Sequence, residues 1–247
     1  MKALIFAAGL GTRLRPITDN MPKALVPVGG VPMLERVLLK IKDSGISEFV
    51  VNVHHFSGQI RDFLDSKDNF GVDVKLSEES GEALETGGGI HHAQPLLEGG
   101  GRFLVHNVDI LSDISLKDFI AADRQDAIAT LAVRDADADR YLLFNDDMRL
   151  VGWTNVRTGE VKAAVPDLNP NACRRYSFCG IHIISDDIFP LMASWPDKFG
   201  IIDFYLSIAA VHPIYGHVVE NPTLIDIGSP EKLAEAEILF GRLPKSE

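Results

Sequence analysis

The densest chemistry in the chain lies near its start. Gly9-Leu10-Gly11-Thr12-Arg13-Leu14-Arg15-Pro16 is followed, after a short gap, by Pro22-Lys23. The glycines bring backbone N–H groups close to an anion. Arg13 and Lys23 add two cations within one short segment. Together they have the chemistry of a polyphosphate site. The chain has 247 residues and a formal net charge of −11, which argues against a nucleic-acid surface. The charge around the loop is the reverse: Lys2, Arg13, Arg15 and Lys23 face one acid, Asp19, before Pro22. A focused positive site on an acidic body draws in an anionic ligand.

Two carboxylates stand out further on. Asp109 follows the apolar run Phe103-Leu104-Val105, and Asp226 sits in Leu224-Ile225-Asp226-Ile227-Gly228. By spacing alone each reads as a cap or turn residue. Thr86-Gly87-Gly88-Gly89 opens a helix in a form that lets backbone approach a flat ligand. Asn52, His54 and His55 follow an apolar run. A His pair suits metal or acid–base work, but no third ligand accompanies it, so the three read as a polar loop. Arg140, Tyr141 and Trp153 read as packing or surface residues. Cys173 and Cys179 lack metal spacing and read as reduced thiols.

The elements that must position these residues alternate strand and helix. Ala3–Ala8 is a buried apolar run and reads as a strand. Met33, Leu34, Val37, Leu38 and Ile41 fall at helical spacing, with Gly45 closing the helix. Further strands are predicted at 49–53, 72–76 and 103–106, and helices at 57–65, with Ser57 as N-cap, and 86–97. This rhythm predicts an α/β fold with a doubly wound, mostly parallel sheet, whose ligands bind beyond the strand carboxyl ends. The second half predicts strands at 127–134 and 176–184, turns at 144–150 and 158–159, and helices at 185–194 and 202–211. A last helix starts at Ser229-Pro230. No composition shift marks a linker, so one domain is expected: a nucleotide-binding half over 1–125, a smaller β lobe over 126–228, and a C-terminal helix over 229–247. There is no apolar run of about twenty residues for a membrane span. The short apolar start leads into charge, unlike a signal peptide, so a cytoplasmic location is expected. A dinucleotide-binding oxidoreductase is excluded because Arg15-Pro16 breaks the Gly-x-Gly-x-x-Gly pattern.

Ala7-Ala8-Gly9-Leu10-Gly11-Thr12-Arg13-Leu14-Arg15-Pro16-Ile17-Thr18, with Pro22-Lys23 and Pro27-Val28-Gly29-Gly30-Val31-Pro32, resembles the signature of the sugar-1-phosphate nucleotidyltransferases. The resemblance extends to the Asp226-Ile227-Gly228-Ser229-Pro230-Glu231 segment. It implies a Rossmann-like, GT-A-type nucleotidyltransferase fold with a sugar-side β lobe. The implied reaction joins an NTP to a sugar 1-phosphate, giving an NDP-sugar and pyrophosphate with Mg²⁺. Arg13 is implied at the β- and γ-phosphates, and Lys23 between the α-phosphate and the sugar phosphate. Asp109 is implied as catalytic and, with Asp226, as a metal ligand. Ala7, Ala8, Gly9, Gly11, Thr12, Thr86, Gly87 and Gly88 are implied at the nucleotide, and Asn107 and Gly180 at the sugar. Two departures stand within the pattern: Ala24 where a second Pro is usual, and Val108 where Gly usually precedes the Asp. Glu85-Thr86-Gly87-Gly88-Gly89 looks most like N-acetylmuramate 1-phosphate uridylyltransferases and some mannose 1-phosphate guanylyltransferases, leaving UTP or GTP as the nucleotide. A non-catalytic regulatory homologue would be expected to lose Arg13, Lys23 or an Asp, and all four are kept.

Overall fold

The computed structural model describes residues 1–240, and its central sheet grows outward from the strand Lys2–Phe6. Ala3, Leu4 and Ile5 are fully buried, as expected of a parallel strand covered by helices on both faces. It pairs in parallel with Glu48–Val53 on one side and Arg102–Asn107 on the other, and Asp73–Glu78 pairs in parallel beyond Glu48–Val53. In chain order this is third, second, first, fourth. The switch point lies between the first and fourth strands, where a doubly wound sheet opens a crevice at its carboxyl edge.

Past Arg102–Asn107 the sheet is mostly antiparallel. The strand Arg174–Ser185 runs against Arg102–Asn107, Ala129–Arg134 and Arg140–Phe144. Its register with Ala129–Arg134 slips between Phe178 and His182, around Gly180 at φ +70°. Arg140–Phe144, Leu150–Asn155 and Glu160–Ala163 form a meander. The turn predicted at 144–150 is built by Asn145, whose Oδ1 accepts from the N–H groups of Asp147 and Arg149. Ile214–Val218 adds in parallel beside Ala129–Arg134. The architecture is α/β with a mixed central sheet, parallel in its first half.

Met33–Asp43 buries the apolar stripe read from the sequence, and ends before Gly45 at φ +98°. The next helix, Ser57–Ser66, corrects its cap: Phe56, at φ +59°, is the N-cap, and Ser57 is already helical. The segment 86–97 divides into Glu85–His92 and Gln94–Leu97, because Pro95 brings no N–H to continue the first helix. The helix predicted at 185–194 shrinks to Ile188–Met192, since Ser185 stays in the sheet. The helix predicted at 202–211 spans Ile201–Ile208. The last helix is Pro230–Phe240, with Ser229 Oγ accepting from the Lys232 N–H at 3.4 Å. The rest of the 229–247 segment lies outside the described residues. None of the described helices is long and apolar enough to cross a membrane.

Candidate active site

A cavity of about 410 Å³ opens at the carboxyl edge of the sheet, at the switch point. Its walls bring together the loop Ala8–Arg13, Lys23, Asn107, Val108, Asp109, Gly228, Thr86 and Glu85. These residues come from four distant parts of the chain.

The loop is shaped by Gly11, at φ +63°. A Cβ there would lie 2.9 Å from Thr18 Cγ2 and 3.2 Å from Lys23 Cβ. The Thr18 hydroxyl donates to the Gly11 carbonyl at 2.7 Å and pins the turn. Leu14 is buried beneath it and its N–H donates to the same carbonyl at 2.8 Å. Lys23 then enters on a short 3-10 turn after the extended Pro22. Its side chain is only 8% exposed, and its Nζ donates to Asp109 Oδ2. An ammonium so buried needs such a partner.

Backbone pairing explains how two carboxylates far apart in sequence meet. Ile110–Ser112 and Leu224–Asp226 are antiparallel, with Asp226 opposite Ile110, and the Ile227 N–H donates to the Asp109 carbonyl at 3.0 Å. Lys23 Nζ lies 3.8 Å from Asp226 Oδ1. Burial, and then the neighbouring Asp109 carboxylate, raise the Asp226 pKa, against the pull of Lys23 and Arg13. Lys23 supplies one positive charge to this pair of carboxylates. Among the described residues no group of three or more His, Cys, Asp and Glu could hold a metal by itself. The donor set therefore fits a hard cation that completes its shell with phosphate oxygens and water, as Mg²⁺ does.

Arg13 reaches across the mouth. A Cβ on Gly228 would lie 2.6 Å from Nη2 of Arg13 and 3.0 Å from Oδ1 of Asp226, so Gly228 makes room for the guanidinium beside the carboxylate. Arg15 points elsewhere and pairs with Asp19 at 3.3 Å on the exposed surface.

The Gly-rich helix is used differently from the open approach its composition suggested. The N–H groups of Gly87 and Gly88 both donate to the Phe199 carbonyl, at 2.8 and 3.1 Å. A Cβ on Gly87 would strike the Phe199 ring, and one on Gly88 the Asp197 carbonyl. These two glycines pack the helix onto the 197–199 segment, while Glu85 and Thr86 line the cavity. Thr86 Oγ1 accepts from the Ile201 N–H at 3.0 Å. Gly180 is likewise a supporting residue. A Cβ on it would lie 3.0 Å from Asn107 Nδ2, so its absence leaves Asn107 its place at the cavity. Val108 is 4% exposed and packs into the core; the usual Gly is replaced here by an inward-facing side chain. Ala8 lines the cavity and Ala7 is buried behind it.

Asn52 is not a loop residue. It lies within the strand Glu48–Val53, fully buried, and lines the cavity with Glu79. Glu79 and Gly228 had no assigned role in the sequence reading. Glu79 sits among other acids with no motif to mark it, although Gly228 follows Asp226 closely enough to have raised the question.

Residues 2–147 match the nucleotidyl transferase family. The chain belongs to that family. It is 31% identical over 243 residues to the N-acetylmuramate alpha-1-phosphate uridylyltransferase of Caulobacter vibrioides, covering 95% of each chain. It is 47% identical over 122 residues to the enzyme of the same name from Neisseria meningitidis serogroup B, covering 49% of this chain. That match spans about half of the Neisseria protein, 51% of its length. The fold matches that of a UDP-glucose pyrophosphorylase solved with UDP-glucose, with a TM-score of 0.78, 18% identity and 97% of each chain covered. The resemblance read from the opening signature thus holds for the family and for the subgroup named from Glu85-Thr86-Gly87.

Proposed function

We propose that the protein transfers a nucleotidyl group from an NTP to a sugar 1-phosphate, releasing pyrophosphate, with UTP and N-acetylmuramate 1-phosphate as the substrates. The observation that carries the reaction is the convergence of the Gly9–Arg13 loop, buried Lys23 and Asp109 on one cavity, with Asp226 held beside Lys23. The names of the two uridylyltransferase relatives support the choice of substrates.

The chemistry asks little covalent work of the chain. An oxygen of the sugar phosphate attacks the α-phosphorus, and the bond to pyrophosphate breaks opposite it. The nucleophile is already anionic, so no strong general base is required. The chain must hold the two phosphates in line and neutralise their charge. Backbone N–H groups of Gly9, Gly11 and Thr12 bind the phosphates, and Arg13 takes the charge that grows on the leaving pyrophosphate. Lys23 exchanges part of its bond to Asp109 for the α-phosphate and the incoming sugar phosphate. Asp109 and Asp226 would hold Mg²⁺, which would supply charge neutralisation at the phosphate oxygens. Asn107, on the cavity wall two residues before Asp109, meets the sugar phosphate.

The test is pyrophosphate release with Mg²⁺, crossing UTP, GTP, CTP, ATP and dTTP with the 1-phosphates of N-acetylmuramate, mannose, glucose and N-acetylglucosamine. Release that needs UTP and N-acetylmuramate 1-phosphate together is expected. Release with GTP and mannose 1-phosphate instead would reassign the substrates and keep the reaction. Silence across the panel, in a folded protein that still binds NTP, would sink the reaction.

A further inference from the structure

Asn52 and His54 stand two apart, on and just after the strand Glu48–Val53. Each makes one bond to the segment that leads into the nucleotide wall. Asn52 Nδ2 donates to Glu79 Oε1 at 2.9 Å. The other oxygen of Glu79 accepts from the Leu84 N–H at 2.8 Å, so its carboxylate closes the loop 79–84 on itself. His54 Nε2 bonds the Gly81 carbonyl, at the tip of that loop, at 2.8 Å. The loop carries Ala83 and runs straight into Glu85 and Thr86, all three of which line the cavity. Gly89 completes the arrangement. A Cβ on it would lie 3.0 Å from Glu79 Oε1 and 3.4 Å from Asn52 Oδ1, so only a glycine lets the helix lie over the pair.

The arrangement is costly, and that points to a use. Asn52 Oδ1 and His54 Nδ1 are buried without a hydrogen-bond partner among the described residues. Apolar residues of similar size would avoid that desolvation cost. What they would lose is the pair of bonds to the 79–84 loop. We infer that Asn52 and His54, acting through Glu79 and the Gly81 carbonyl, are positioning residues that clamp the loop forming the nucleotide wall of the cavity, and so set affinity for the NTP. The inference rests on the proposed reaction only for where the nucleotide lies.

A swap of donor and acceptor tests it in the full chain. Asn52→Asp sets two carboxylates face to face. Glu79→Gln leaves one oxygen for two donors, so one bond is lost. In the double variant, the new amide nitrogen at position 79 donates to the new carboxylate at position 52. The amide oxygen at position 79 still accepts from the Leu84 N–H, and both bonds return. Each single variant should weaken UTP binding, and raise the KM for UTP, about tenfold, the scale of one unsatisfied buried group. The loss should be larger toward UTP than toward the sugar 1-phosphate, and the double variant should recover most of it. His54→Ala, which alters only the loop tip, should shift the same constants in the same direction. It also keeps the test open if the buried variants misfold. Unchanged UTP binding in the single variants, no recovery in the double, or an equal loss toward both substrates would overturn the clamp. UTP and GTP dissociation constants are measured without the sugar. A wild type that binds nucleotide but releases no pyrophosphate would therefore defeat the reaction and still test the clamp.

Discussion

At the scale of single residues, charge placement decides what the cavity can do. Lys23 is the buried cation that separates Asp109 from Asp226. Removing it leaves two carboxylates with no side chain between them and no ammonium to meet the phosphates. Lys23→Ala should lower kcat by about 10²–10³, the usual cost of one aimed transition-state donor, in a pyrophosphate-release assay. Gly228 offers a quieter test. An added methyl meets the far end of the Arg13 side chain, which can swing away, so Gly228→Ala should keep its melting temperature. The swung guanidinium no longer meets the leaving group, and kcat should fall about tenfold. A normal rate in this variant would show that Arg13 does not work from the position seen beside Gly228. Both cations were legible in the sequence because the Gly9–Arg13 and Pro22-Lys23 pattern is specific. Gly228, Asn52 and Glu79 were not, since their roles are set by what stands opposite them across the fold.

Elements place these residues, and their type was more legible than their ends. The stripe Met33, Leu34, Val37, Leu38 and Ile41 has one solution, a helix with that face buried. Ser57 is a good cap by type, yet the chain turns one residue earlier through a left-handed Phe56, a conformation that no propensity announces. The glycines of Glu85–His92 were read as open to ligand, and the fold spends two of them on packing against Phe199 and Asp197. Composition cannot distinguish close approach of a ligand from close approach of a neighbouring chain segment. The long strand Arg174–Ser185 makes the same point through its kink. Gly180 holds φ +70°, and a Cβ would press on Asn107 and Ile110. Gly180→Ala should cost about 1–3 kcal/mol of stability in urea unfolding. It should also raise the KM for the sugar 1-phosphate more than that for the NTP. Equal effects on both would assign Gly180 to the strand alone.

Buried histidines on neighbouring strands add a pH dependence to the sheet. Burial lowers the His106 pKa to about 4, and the His182 pKa to about 3. Both are therefore neutral in the folded chain where the unfolded chain begins to protonate, near the ordinary value of 6.5. Between about pH 6.5 and 4 the unfolded state binds more protons, so stability falls as pH falls. Between pH 7 and 5 each group should remove about 2 kcal/mol, seen as a lower urea midpoint. His106→Leu should flatten that slope. An unchanged slope would place the acid sensitivity elsewhere.

For the whole molecule the question is whether the parallel and antiparallel halves can come apart. Arg174–Ser185 hydrogen-bonds Arg102–Asn107 of the first half and Ala129–Arg134 of the second, so one sheet runs through both. An ion pair reinforces the junction. Arg102 Nε donates to Asp123 Oδ2 at 2.5 Å, Nη2 to Asp123 Oδ1 at 2.8 Å, and Nη1 to the Ala127 carbonyl at 2.7 Å. Thr130 Oγ1 donates to Asp123 Oδ1 at 2.7 Å, and the Asp123 side chain has no exposed surface. Such a pair adds little over an apolar substitute, but removing one member strands the other. Asp123→Ala leaves a guanidinium 10% exposed without its counter-ion, and should cost about 3–5 kcal/mol. Because the sheet is continuous, that loss should lower the melting temperature of the entire chain in one transition, with the calorimetric and van't Hoff enthalpies still equal. Two separated transitions, with UTP raising only the first, would mean that the halves fold independently and that the shared strand is a seam. A single transition, raised as a whole by UTP, ties the Gly9–Arg13 loop and the meander of Arg140–Phe144, Leu150–Asn155 and Glu160–Ala163 into one cooperative unit. Binding at Gly9–Arg13 then stabilises a strand that begins at Arg174.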